Sequence, residues 1–442
     1  MKNVLLLGAG LVAKPLIRYL LAREGIHLLV ASLNIDRANM LVNGHSRGKT
    51  LELDVNDSEK LEHLIADADL VISLLPYTFH VQVAELCLKH ATHLVTASYV
   101  SDAMKNLDAR ARERGVLLLN EIGLDPGIDH MSAMKIIHHI EKRGGRVTLF
   151  ESCTGGLPAP DANDNPFGYK FSWSPRGVLM AGRNAAQFLR DGKEIKIPGE
   201  ELFKNHWPKV IEGLGELEVY PNRDSILYKD LYGFKNIETL FRGTLRYPGW
   251  CETLEKIVQL GFLNETRNPE LEGKTYAEMM ASLIGAENSN ALMEKTAAFL
   301  NISVASAIMQ RLEWLGLFSN EKVVAEPPTL LDVLTMRMLE KMSYKKGERD
   351  MVVMQHDFIA DFPNGEKEQI TSLLIDYGVP NGDSSMARTV SLPAAIAAKL
   401  ILDRVINVSG VHIPVIPEIY QPVLDELEKT GIRFKEKITP VE

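Results

Sequence analysis

The residues with the clearest chemistry stand at the start of the chain. Gly8-Ala9-Gly10-Leu11-Val12-Ala13 follows the apolar run Val4 to Leu7 without a gap, which is the G-x-G-x-x-[G/A] fingerprint of a dinucleotide-binding strand, turn and helix. In that pattern Gly8 permits the tight turn, Gly10 lets the backbone approach a pyrophosphate, and Ala13 is small enough for the helix to pack on the strand. The free amides of the helix start then hold the anion, so Gly8, Gly10, Leu11 and Val12 are the candidate phosphate-binding residues. The second strand bears on the cofactor type. NAD-preferring enzymes carry an acid about 20 residues past the glycines, bonded to the ribose 2′-hydroxyl. This strand ends Val30-Ala31-Ser32-Leu33-Asn34 with no acid at its tip, and Asp36 falls on the opening of the next helix, where negative charge suits the dipole. The absence favours NADP, with NAD the alternative; Arg37, Ser32 and Asn34 are within reach of a 2′-phosphate.

These residues need a scaffold, and the first 124 residues supply its pattern. Strand-like runs at Val4 to Leu7, His27 to Ala31, Thr50 to Leu53, Leu70 to Leu74, His93 to Thr96 and Val116 to Asn120 are nearly all Val, Leu and Ile, as strands buried on both faces require. Helix-like stretches separate them, among them Phe79 to His90, with Thr78 as its cap, and Asp102 to Arg114, capped by Ser101. The expected fold is α/β, a Rossmann-type doubly wound parallel sheet. Ligands of such sheets sit beyond the carboxyl ends of the strands, which makes Ser32, Asp54, Leu75-Pro76, Ser98-Tyr99 and Gly123-Leu124-Asp125 neighbours in space. After Asp125 strand-like segments such as Val147 to Ser152 mix with Gly/Pro-rich loops such as Gly155 to Pro160, and Glu270 to Leu317 looks mainly helical. This texture suggests an inserted α+β domain for substrate binding and dimerisation. The apolar helix Leu392 to Leu402, with Pro393 in its first turn, is expected to return to the nucleotide domain. The expected domains are therefore 1–124 plus 391–442, and 125–390. The closest approach to a linker is Glu326-Pro327-Pro328.

Composition narrows the partners. With 442 residues, 45% hydrophobic and 24% charged, the chain is an ordinary globular protein of two or three domains. A formal charge of -9 and no long Lys/Arg run give no reason to expect nucleic acid or an anionic membrane. Three widely spaced cysteines, Cys87, Cys153 and Cys251, read as reduced thiols and a cytoplasmic location. No C-x-x-C or paired His/Cys spacing suggests zinc, and no metal is expected. Lys2 and the apolar run after it mimic a short signal peptide, but Lys14 and Arg18 follow at once and the glycine spacing explains the segment better. No apolar run near 18 residues stands out as a membrane span.

Longer and chemically odder stretches carry a resemblance. Ile72-Ser73-Leu74-Leu75-Pro76-Tyr77-Thr78-Phe79-His80, Thr96-Ala97-Ser98-Tyr99, Asn120-Glu121-Ile122-Gly123-Leu124-Asp125-Pro126-Gly127-Ile128-Asp129-His130, Gly155-Gly156-Leu157-Pro158-Ala159-Pro160, Asn165-Pro166-Phe167-Gly168-Tyr169-Lys170-Phe171-Ser172-Trp173-Ser174, Tyr220-Pro221-Asn222-Arg223-Asp224-Ser225 and Arg242-Gly243-Thr244-Leu245-Arg246-Tyr247 closely resemble, in this order, the glutamate-forming saccharopine dehydrogenases. The resemblance covers nearly the whole chain. It implies an imine formed from glutamate and 2-aminoadipate 6-semialdehyde, reduced by a nicotinamide hydride to saccharopine, in lysine metabolism. It also implies Asp125 as leading acid/base with Tyr99 assisting, and Ser98, Tyr99, Asp125, Arg223, Thr244, Leu245 and Arg246 as substrate-binding residues. For the cofactor it implies Asp54 and Val55 on the adenine side, Leu75 and Pro76 along the ribose, and Ser174 reaching in from the middle domain. A homodimer and small-molecule substrates follow from the same likeness. Saccharopine has three carboxylates, for which arginine's planar fork is the geometric match. One departure matters: the family usually reads Tyr-Cys-Gly-Gly where this chain reads Cys153-Thr154-Gly155-Gly156. A threonine hydroxyl hardly ionises, so a mechanism that requires that thiol is excluded. The change leaves open a related substrate, as in carboxynorspermidine-forming enzymes, and beyond that a catalytically silent NADP(H)-binding protein.

Overall fold

Runs of Leu, Val and Ile that can be buried on both faces build the first sheet. In the computed structural model, which describes residues 1–324 and 329–441, β1 (Lys2–Leu7), β2 (Ile26–Ser32), β3 (Gly48–Glu52), β4 (Leu70–Ser73), β5 (His93–Thr96) and β6 (Leu117–Leu119) are joined by a strand at Gly410–His412. They form a seven-stranded, wholly parallel sheet in the order Gly410–His412, β6, β5, β4, β1, β2, β3. Chain order reverses between β1 and β4, the switch point at which such sheets bind ligands. Register aligns Leu7 with Ala31 and Ser73, Ser73 with Thr96, and Val95 with Leu119. Gly8, Leu74, Ala97 and Asn120 therefore leave the sheet along one edge.

The connecting helices are α1 (Ala13–Leu21), α2 (Ile35–Val42), α3 (Ser58–Ala66), α4 (His80–His90), α5 (Asp102–Lys105), α6 (Asp108–Glu113) and α7 (Ile128–Lys142). Val83, Ala84, Cys87 and Leu88 of α4 pack into one core with Val71, Leu94 and Leu118 of the sheet. Thr78 does not cap α4. The Phe79 amide donates to the Pro76 carbonyl (3.0 Å), which closes a 3-10 turn over Tyr77–Phe79 and takes Thr78 into it. Ser101 does cap, its hydroxyl accepting from the Met104 amide (3.2 Å), but the expected single helix is split into α5 and α6 where Leu107 turns into the core, 5% exposed.

The chain divides into two compact units, one of residues 1–147, 231–234 and 359–442 and one of residues 148–230 and 235–358. The boundaries expected from the sequence fall at 124/125 and 390/391. In the structure α7 stays with the nucleotide-type sheet because the helix Pro417–Lys429 packs on it and His138 Nδ1 lies 2.8 Å from the Tyr420 hydroxyl. The late apolar helix also belongs to this unit and packs on α1. It spans Ser385–Leu402 and starts at Ser384, whose hydroxyl accepts from the Ala387 amide (3.1 Å). Pro393 therefore sits in its interior rather than its first turn, leaving one intrahelical bond unmade. By length and composition this helix, seven residues longer at its start than the apolar stretch Leu392 to Leu402, could cross a membrane, yet 78% of it is buried inside the protein.

In the second unit β7 (Arg146–Pro158) is parallel to the strand Thr239–Arg246, which pairs antiparallel with Gly215–Pro221, itself antiparallel to Trp207–Ile211. The expected Gly155 to Pro160 loop is strand as far as Pro158. A Cβ on Gly155 would stand 2.8 Å from the Leu245 carbonyl oxygen, so this glycine serves close strand packing rather than a turn. Helices at Tyr276–Leu283, Leu292–Phe299 and Ala307–Trp314 fill the segment read as helical. The linker Glu326-Pro327-Pro328 lies outside the described residues.

Candidate functional site

The glycine turn is shaped for a dinucleotide. Gly8 has φ 100, and a Cβ there would sit 3.2 Å from the Leu74 carbonyl oxygen; a Cβ on Gly10 would meet nothing within 4 Å and project into open space. Leu11 is 59% exposed at the loop tip. Val12 gives α1 no side-chain cap and its first turn holds no acid, so the helix start offers amides and dipole to an anion without an internal competitor. The Arg37 Nε donates to the Ala9 carbonyl (2.7 Å) and Nη2 to the Gly10 carbonyl (3.4 Å), laying the guanidinium across the loop. The other two candidates for a 2′-phosphate are engaged locally: the Asn34 side chain caps α2 by accepting from the Arg37 amide (2.9 Å), and the Ser32 hydroxyl accepts from the Asn34 amide (3.2 Å). Asp54 accepts from the Asn56 amide and side chain (2.9 and 2.8 Å), Val55 is buried beside it, and Leu75 and the exposed Pro76 follow β4. An open, uncapped glycine turn with a cation across it and no acid at the tip of β2 fits NADP.

Ser98, Tyr99 and Asp125 come together at the same sheet edge. The Tyr99 hydroxyl donates to Asp125 Oδ1 (3.3 Å). The turn beyond Asp125 depends on Gly127, whose φ is 146 and whose Cβ would fall 2.1 Å from the Gly123 carbonyl oxygen; only glycine fits there. Sequence reasoning gave His80 no role. It is buried, with Nε2 2.8 Å from the Ser98 hydroxyl and 3.2 Å from the Thr96 hydroxyl, and Nδ1 3.1 Å from the Ser73 hydroxyl. Burial pushes its pKa down to about 4, so a neutral imidazole orients Ser98. The one signal available was an unexplained histidine within a chemically odd motif.

The second unit carries the guanidiniums. Arg246 is 5% exposed, and among the described residues no acid lies within 4 Å of it. Its register partner Glu218 is taken up by the Gly249 amide (3.1 Å) and the Cys251 amide (2.5 Å). The guanidinium instead faces the rings of Tyr169, Trp250 and Tyr220 at 5.0, 5.5 and 5.8 Å and donates from Nη1 to the Leu245 carbonyl (2.8 Å), while Nε has no partner. Burial raises the Tyr169 phenol and pushes the Tyr220 phenol up to about 12, so neither is the counter-anion. A buried cation without a paired acid is costly, and an external carboxylate would offset that cost. Its aromatic surround was not read from the sequence. Thr244 lies beside Thr154 in the parallel register, and the Thr154 hydroxyl is buried without a hydrogen-bond partner. Arg223 is exposed with φ 55, two residues beyond the end of the strand Gly215–Pro221 that pairs with the Arg246 strand. The neighbouring Asp224 carboxylate accepts from the Gln187 side chain and the Ile226 amide. Ser174 is exposed and caps the helix Pro175–Ala181 by accepting from the Gly177 amide (3.2 Å).

Comparison with known proteins adds a full-length context. Residues 4–119 match the family profile described as "Saccharopine dehydrogenase NADP binding domain" and residues 123–432 the profile described as "Saccharopine dehydrogenase C-terminal domain". The first of these settles the cofactor as NADP. The chain is 42% identical to Schizosaccharomyces pombe saccharopine dehydrogenase [NADP(+), L-glutamate-forming] and 43% identical to its Saccharomyces cerevisiae counterpart, each over 99% of both chains. It is 39% identical to Bos taurus alpha-aminoadipic semialdehyde synthase, mitochondrial, over 99% of this chain but 48% of that one. The solved apo histidine-tagged saccharopine dehydrogenase (L-Glu forming) from Saccharomyces cerevisiae superposes with a TM-score of 0.91 over 99% of this chain and 100% of that one, at 42% identity. The chain belongs to the saccharopine dehydrogenase family.

Proposed function

We propose that this protein interconverts saccharopine with L-glutamate and 2-aminoadipate 6-semialdehyde, using NADP, in lysine metabolism. The observation that carries the reading is the buried Arg246 guanidinium with no acid within 4 Å among the described residues, accompanied by the Tyr99–Asp125 pair. When bound, NADP accepts or donates the hydride at the carbon of the C–N bond. Asp125, steadied by the Tyr99 hydroxyl, exchanges protons with the amine nitrogen and with the carbinolamine oxygen through which the imine is hydrolysed. Arg246 and Arg223 hold carboxylates of the polyanion. Thr244 and Leu245 line the substrate beside Arg246, and Ser98, oriented by neutral His80, hydrogen-bonds it. Gly8, Gly10, Leu11, Val12, Asp54, Val55, Leu75, Pro76 and Ser174 bind the cofactor. The same reading carries a cytoplasmic location, supported by three buried free thiols, and a homodimer, supported by family likeness. The test supplies purified protein with L-saccharopine and either NADP or NAD and follows reduced nicotinamide. Turnover with NADP, with glutamate as product, is expected; cofactor binding without turnover refutes the reading.

A further inference from the structure

Glu121 follows β6 and precedes the Asp125 turn, and the chemistry above makes no use of it. Its side chain is buried, 4% exposed, and its φ is 57, a left-handed conformation that residues with a Cβ adopt only against resistance. Three bonds surround it. The Glu121 amide donates to the Ser98 carbonyl (3.1 Å), and Oε1 accepts from the Val100 amide (2.9 Å), so one residue grips the peptides on both sides of Tyr99. Oε2 lies 2.7 Å from Nε2 of His130, which is fully buried in the first turn of α7, the helix that the Asp125 turn leads into. A carboxylate has only lone pairs to offer, so Nε2 carries the proton. On its far side His130 Nδ1 meets the Tyr232 hydroxyl at 2.8 Å, the rings packed edge to face at 5.7 Å.

We propose that Glu121 is a positioning residue: by gripping the Tyr99 segment with one oxygen and α7, through His130, with the other, it holds the Tyr99 hydroxyl against Asp125. A left-handed glutamate is retained because this backbone turn aims a single carboxylate at both segments. The proposal rests on the catalytic reading of Tyr99 and Asp125, and the test separates the two. Steady-state rates with saccharopine and NADP are measured for E121A, Y99F and the double variant. E121A is expected to lower kcat about tenfold or more while KM and NADPH affinity stay within about threefold, and E121Q, whose oxygen still accepts from Val100 while its NH2 can donate to His130 once the ring proton moves to Nδ1, to recover part of that loss. Because Glu121 acts through Tyr99, the double variant should be no slower than the worse single variant. Should E121A fail to fold, E121D shortens the reach by one methylene, keeps the charge and carries the same cycle. Additive losses, or a folded E121A with normal kcat while Y99F is impaired, would overturn the inference alone. A fully active Y99F overturns the role of Tyr99 and this inference together.

Discussion

Replacing Arg246 with lysine keeps the charge and removes the fork. In the native site the guanidinium is 5% exposed and braced by the Leu245 carbonyl and three aromatic rings. Lysine can present its ammonium to a carboxylate but makes one directed bond where arginine makes two parallel ones. Loss of one charge-assisted bond costs about 1.5–3 kcal/mol, which is roughly 10- to 150-fold in substrate affinity. Weakened cation–π contact with Tyr169, Tyr220 and Trp250 in this desolvated site adds up to about 2 kcal/mol, felt in stability rather than in binding. The assay is initial rate against saccharopine at saturating NADP, with NADPH affinity titrated separately and unfolding followed by denaturant. KM for saccharopine should rise at least about tenfold while NADPH affinity stays level. An unchanged KM with a lowered unfolding midpoint would show that Arg246 is a structural pillar and refute the carboxylate role.

Three further outcomes are expected. Arg37→Ala should weaken NADPH binding by about tenfold or more and leave NADH binding nearly unaltered, as titration fluorescence reads; equal weakening of both would mean that Arg37 only braces the glycine turn. His80 makes stability pH-dependent. Its folded pKa lies at about 4 against 6.5 unfolded, so the unfolded chain binds the extra proton in that window; the contribution is complete above pH 6.5 and is lost as pH falls toward 4. The loss is about 3 kcal/mol, and urea titrations of His80→Gln should lack that part of the slope; an identical slope in the variant contradicts a buried neutral imidazole. Gly127→Ala should destabilise by about 3 kcal/mol or more, since its Cβ would stand 2.1 Å from the Gly123 carbonyl oxygen, and a change in unfolding free energy below about 1 kcal/mol would contradict that backbone geometry.

The nucleotide-type sheet was legible because parallel strands buried on both faces are written as unbroken Val, Leu and Ile, and β5 agrees with its sequence reading residue for residue. Elements whose ends depend on tertiary packing were less legible. Pro393 read as a first-turn residue, yet the helix begins at Ser385 because Ser384 caps it and small residues pack it inward. Gly155 read as a loop signal, whereas the nearness of the Leu245 backbone is what excludes a side chain there. The glycine cradle, Tyr99 and Asp125 stood in quotable motifs at strand ends. His80, Glu121 and His130 stood in or beside the same motifs without showing a role, because a buried polar residue declares itself only when its partners, separated in sequence by up to 102 positions, are brought together. The aromatic surround of Arg246 was hidden for the same reason, being drawn from Tyr169, Tyr220 and Trp250.

The most direct measurement follows the hydrogen itself. Reduced NADP carrying deuterium at the transferable position of its nicotinamide ring is incubated with the protein, L-glutamate and 2-aminoadipate 6-semialdehyde, and the product is analysed by mass spectrometry. The account predicts saccharopine with a single deuterium on the carbon that was the aldehyde. Unlabelled saccharopine, or no saccharopine from protein shown to bind the reduced cofactor, would contradict it.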